Sequence, residues 1–133
     1  RASARRGRLF LRESEDESSR TVAIVLEDLV GQADPETAET AFESAVSMAA
    51  SLAVQLLRRG FHVGLVAGGA YLPPAANAAQ GAQVLECLAL VQAGSARALP
   101  TAAARGIARL HVRPTLSGPQ VDVVDAGPGR QTA

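Results

Sequence analysis

Two six-residue runs, Thr-Val-Ala-Ile-Val-Leu at 21–26 and His-Val-Gly-Leu-Val-Ala at 62–67, set the terms for any fold of this 133-residue chain. Neither alternates apolar with polar residues. A strand with one wet face shows period-two alternation, so an unbroken apolar run predicts a strand covered on both faces. Strands of that kind belong to parallel sheets, and parallel neighbours need a long crossover between them.

The segment between the runs supplies the crossover. Asp34 is suited to a helix N-cap and Pro35 to the first helical position, with Glu36 and Glu39 near the positive end. Phe42, Ala45, Val46, Ala49, Leu52, Ala53 and Leu56 recur every three or four residues and make one apolar face. Arg58 and Arg59 complement the negative end, and Gly60 suits the residue just past it. The spacing predicts a helix over about 35–59.

Beyond the second run the pattern continues. Gly68-Gly69 marks a turn, and Tyr71-Leu72-Pro73-Pro74 reads as an edge segment or loop. A second amphipathic helix is expected over 78–92, with Val84, Leu85, Leu88 and Val91 inward and Gly94 as its stop. An Ala-rich stretch at 101–108 suggests a third short helix. Strands are expected at 110–113 and 121–125, with Gly118-Pro119 turning between them. The expected organisation is a charged Arg/Glu-rich lead-in at 1–20, an α/β domain at 21–126 and a tail at 127–133. The predicted fold class is α/β, an open, mostly parallel sheet flanked by helices.

Composition closes off several functions. All 13 basic residues are Arg, matched by 13 acids. Without Lys, P-loop nucleotide hydrolysis and Schiff-base chemistry have no amine to use. Zero net charge disfavours a dedicated nucleic-acid binder. One Cys makes neither an internal disulfide nor a Cys-based zinc site. No run of about 18 uncharged apolar residues predicts a membrane span in this stretch. The chain opens without Met, which suggests a piece of a longer protein, and its 27 Ala against two Ile suggest a high-GC bacterial genome.

Ligands of open α/β sheets bind beyond the carboxyl ends of the strands, which directs attention to Glu27, Asp28, Gly68, Gly69 and Asp125. Glu27 and Asp28 are the leading candidates, as oxygen ligands for a divalent cation or as a general base. Solvated acids ending a strand are the plainer reading. Gly68-Gly69 lacks phosphate-loop spacing and reads as a turn. Cys87 reads as a small core residue, and His62 and His111 as structural. Ser44, Ser47 and Ser51 lie on the first helix with no nucleophile elbow around them. Arg5, Arg6 and Arg12, followed by Glu13, Glu15, Asp16 and Glu17, form a charged block suited to contact with a neighbouring domain or an acidic partner.

The opening Arg1-Ala2-Ser3-Ala4-Arg5-Arg6-Gly7-Arg8-Leu9, with Arg12-Glu13 and Glu15-Asp16-Glu17, resembles the signature of the domain of unknown function 58 family. Phe42-Glu43, Ala45-Val46-Ser47, the stretch 49–53, Leu56-Leu57-Arg58-Arg59-Gly60 and the stretch 63–66 are similar to its first long helix and second strand. The resemblance covers residues 1–92. It implies a von Willebrand factor A-like fold in a bacterial membrane-anchored protein whose soluble part faces the cytoplasm. It also implies a protein partner, a MoxR-type AAA+ ATPase. No cofactor is expected. Metal-binding members of that fold carry Asp-x-Ser-x-Ser after the first strand, where this chain has Glu27-Asp28-Leu29-Val30-Gly31. Both hydroxyl positions are gone, so the expectation is a non-catalytic interaction or scaffold module with a degenerate metal-ion-dependent adhesion site, engaging its partner through Glu27, Asp28, Arg5, Arg6 and Arg12. The alternative keeps a divalent metal at Glu27 and Asp28, helped by a later acid such as Asp125. A hydrolase using the same acids is a third expectation, for which no nucleophile–base pair can be named.

Overall fold

The computed structural model describes residues 20–29, 31–92 and 106–124. Within them the chain runs β1 (Thr21–Leu26), α1 (Pro35–Arg58), β2 (His62–Ala67), β3 (Ala70–Ala75), α2 (Gln80–Leu90), β4 (Ala108–Arg113) and β5 (Gln120–Val124). The strands form one sheet in the order β3-β2-β1-β4-β5. The central trio is parallel, with Ile24 of β1 opposite Leu65 on one side and Leu110 on the other. The two outer strands, β3 and β5, run antiparallel to their neighbours. This is the open, mostly parallel α/β sheet expected from the apolar runs.

Helix α1 begins and ends where its caps dictate. The Asp34 side chain accepts a hydrogen bond from the Thr37 N–H and another from the Thr37 hydroxyl. At the other end the Phe61 N–H bonds the Leu56 carbonyl and the Gly60 N–H bonds the Leu57 carbonyl. That doubled closure is the Schellman arrangement, and the chain turns straight into β2.

The two faces of the sheet differ. Alternate residues Val22, Ile24 and Leu26, with Val63, Leu65, Ala67 and Val112, form one core with Phe42, Ala45, Ala49 and Ala53 of α1 and Val84 and Leu88 of α2. Both described helices therefore cover the same face. Each large apolar side chain buried there contributes about 1.5–3 kcal/mol. By length and composition α1 could also pass for a membrane span. Its outward side carries exposed Glu36, Glu39, Glu43, Ser47 and Gln55, as a helix lying on a core does.

Edge strand β3 is irregular, and the irregularity has a cause. Pairing with β2 shifts register between Val63 and Leu65. Pro73 and Pro74 have no N–H to give the ladder. The buried Gln80 side chain compensates, donating to the Val63 carbonyl at 2.7 Å and to the Pro73 carbonyl at 3.0 Å. Gly64 sits under this crossing, where a Cβ would come within 2.8 Å of the Leu72 carbonyl oxygen.

Three expectations need adjustment. Helix α2 is shorter than 78–92, and Leu85, expected inward, is 43% exposed because Val84 and Leu88 alone take the core-facing positions among its large side chains. The expected third helix at 101–108 ends in strand residues, since Ala108 opens β4; residues 101–105 lie outside the described part. The lead-in at 1–19, the tail at 127–133 and Asp125 also lie outside it.

Candidate functional site

The sheet order reverses between β1 and β4. From β1 the chain moves outward to β2 and β3, then returns to add β4 on the other side of β1. In open α/β sheets ligands enter the crevice at such a switch, beyond the carboxyl ends of the strands. Glu27 stands at this point. Its N–H bonds the Val112 carbonyl at 2.9 Å, which carries the β1–β4 pairing one residue past the strand.

Alternation places the Glu27 side chain on the face opposite α1 and α2. There β4 presents Arg109, His111 and Arg113, between the core-facing Leu110 and Val112. The Nδ1–H of His111 donates to Glu27 Oε2 at 2.5 Å. The Nε–H of Arg113 donates to Glu27 Oε1 at 3.3 Å. A second arm of Arg113 reaches Asp122 Oδ2 on β5 at 2.8 Å. The chain of charges is graded in exposure: the His111 and Glu27 side chains are 17% and 21% exposed, Arg113 and Asp122 35% and 39%. The hydrogen bond that Arg113 donates to Glu27, then the charge of Asp122, raises the Arg113 pKa above its ordinary value and keeps the guanidinium protonated.

This geometry does not fit a divalent cation. Both Glu27 oxygens already face a nitrogen donor, one of them a guanidinium that does not give up its charge. Leu29 and Gly31 offer no hydroxyl beside it. Among the described residues no group of three or more His, Cys, Asp or Glu could hold a metal ion. What the arrangement does chemically is bind β1, β4 and β5 together across the switch point through charge-assisted hydrogen bonds.

The other sequence candidates fall as follows. Asp28 is half-buried next to Glu27. Gly68 and Gly69 have φ of +60° and +83°, the geometry of a two-residue hairpin turn between β2 and β3. Cys87 packs partly buried against the core. Ser44, Ser47 and Ser51 face solvent along α1. Arg5, Arg6 and Arg12 lie outside the described residues. His111, Arg113 and Asp122 were not singled out as site residues from the sequence. The signal for them was alternation: β4 places Arg109, His111 and Arg113 at every second position and β5 begins the same way with Gln120 and Asp122, unlike β1 and β2. Beside the rim, a groove of about 460 Å³ runs between the first turns of α1 and the β4–β5 turn, lined by Glu36, Thr37, Thr40, Ser44, Thr115 and Leu116.

Comparison with protein families matches residues 1–121 to the family described as protein of unknown function DUF58. No curated protein and no solved structure matches the chain significantly.

Proposed function

The chain belongs to the family of proteins of unknown function DUF58, and from that premise we propose that it is a non-catalytic protein-interaction module that works without a metal. The observation that carries the reading is the double engagement of Glu27 by His111 and Arg113. The acid that the sequence offered as metal ligand or general base is spent on holding strands together. The sheet order and the Glu27-Asp28-Leu29 stretch fit a von Willebrand factor A-like domain whose metal-ion-dependent adhesion site has degenerated.

The partner we propose is a MoxR-type AAA+ ATPase, met in the cytoplasm by the soluble part of a membrane-anchored bacterial protein. The groove beside the rim, with Leu116 exposed at its edge, supports docking at this end of the sheet. Asp28 and the Arg-rich lead-in, with Arg5, Arg6 and Arg12, would supply the charged contacts. Affinity capture of the purified ATPase by the full chain tests the reading. Recovery is expected to be the same with magnesium and with a chelator. Capture that disappears on chelation would return the metal-dependent alternative at Glu27 and Asp28, and no capture at all would remove the ATPase.

A further inference from the structure

The two edges of the described sheet are not equivalent. β3 is blunted: Pro73 and Pro74 have no N–H to offer, and its pairing with β2 breaks register between Val63 and Leu65. β5 carries neither device. Its five residues pair with β4 without interruption, from Val124 opposite Arg109 to Gln120 opposite Arg113.

Backbone geometry says which groups of β5 are left over. The Val112 carbonyl accepts from the Glu27 N–H, so the backbone polar groups of Val112 point to β1. Those of its neighbours His111 and Arg113 therefore point to β5, where they meet Asp122 and Gln120. Val121 and Val123 then turn their N–H and C=O groups outward. Val123 is 68% exposed and Gln120 is exposed, so this flank of the strand is open to solvent. The side chains add a pattern. Val121 and Val123 lie on the helix-covered side of the sheet, in line with Val112 and Leu110. Asp122 lies on the other side, where Arg113 holds its Oδ2 at 2.8 Å and the side chain stays 39% exposed. A charge on an edge strand discourages strand addition, and here the guanidinium offsets part of it.

We propose that β5 is a docking edge for an extended segment of a partner protein. The segment adds a strand antiparallel to β5 and sets an aliphatic, a basic and an aliphatic residue opposite Val123, Asp122 and Val121. Main-chain hydrogen bonds to Val121 and Val123 hold it. An Arg or Lys opposite Asp122 fixes its register, since opposite charges across a pair are favourable and like charges are not. The same chemistry disfavours a second copy of this chain, because pairing β5 with itself, Val121 to Val123, sets Asp122 against Asp122. The edge is separate from the Glu27 network and does not depend on an ATPase partner.

Amide shifts and hydrogen exchange of the full chain, followed by NMR, test this with the acetylated and amidated peptide Ser-Thr-Val-Arg-Val-Thr-Ser. Without peptide, the Val121 and Val123 amides are expected to exchange faster than those of Asp122 and Val124, which bond β4. Peptide should shift the β5 amides saturably and slow exchange at Val121 and Val123. Replacing its Arg by Glu should weaken binding about fivefold. Methylating its two Val nitrogens should abolish binding while side chains and charge remain. Val123→Pro in the full chain removes an N–H that the fold does not use, so it should abolish binding with Tm little changed. Slow exchange at Val121 and Val123 before peptide is added would mean that the edge is already paired, and protection that rises with chain concentration alone would give it to a second copy. Either result, equal binding of the N-methylated peptide, or the absence of a saturable shift would overturn the proposal.

Discussion

The two faces of one sheet teach different lessons about how this chain is built. On the helix-covered face, β1, β2 and β4 present Val, Ile, Leu and Ala to Phe42 and the small residues of α1. Cohesion there is non-directional and scales with the area removed from water. On the other face, the β1–β2 half keeps Ala23, Val25 and Val66 fully buried, whereas the β4–β5 half carries Arg109, His111, Arg113 and Asp122. Contacts in that half are few, directional and dependent on charge. The apolar face sets whether the domain folds; the polar half sets what the switch point can accept.

Substitutions on each face should separate these roles. The largest expected effect is on the apolar side. Ile24→Ala removes a fully buried side chain from the middle of the central strand, and a loss of about 2–5 kcal/mol is expected in denaturant unfolding. A loss well under 1 kcal/mol would mean that α1 and α2 do not pack on β1 as described.

A smaller effect is expected on the polar side. Glu27→Gln keeps the shape of the side chain and removes its charge. With His111→Gln it forms a double-mutant cycle whose coupling is expected to be about 1 kcal/mol. The pair is partly exposed, so the coupling should shrink as salt rises. Zero coupling at low salt would break the contrast between the faces, leaving the polar half without an energetic role.

The smallest effect lies at the start of α1. Hydrogen bonds from the Thr37 side chain and backbone hold the Asp34 carboxyl below its ordinary pKa. A carboxyl depressed in the folded state stabilises above its unfolded pKa, and that contribution is lost as pH falls through the folded value. Asp34→Ala should therefore lower Tm by a few degrees at neutral pH. The gap from the parent chain should close as the solution is acidified through the carboxylate range. A gap that stays constant with pH would show that the carboxylate form is not what caps the helix.

Legibility in the sequence followed the same divide. β1, α1 and β2 were readable because each depends on local signals: unbroken β-branched runs, an Asp-Pro start and an Arg-Arg-Gly stop. Leu85 was misplaced because its residue type suggests core, while the helix rotation that exposes it is set by packing of Val84 and Leu88. Glu27 was found from its position at a strand end. Its partners were not, because His111 lies 84 residues away and Arg113 86. Only the return of β4 to the flank of β1 brings them together. The alternation in β4 announced one polar face, yet no local pattern says which acid that face will meet.

In the proposed reading, the crevice between β1 and β4 is closed by the ion pairs of Arg113 with Glu27 and Asp122, and no metal enters it. The most direct measurement is the melting temperature of the full chain during titration with magnesium or manganese, started from chelator-treated protein. A ligand that binds only the folded state raises Tm as its concentration passes its Kd. The account predicts the same Tm with chelator and with millimolar metal, in the parent chain and in Glu27→Gln alike. A saturable rise in Tm that is present in the parent chain and absent in Glu27→Gln would contradict it.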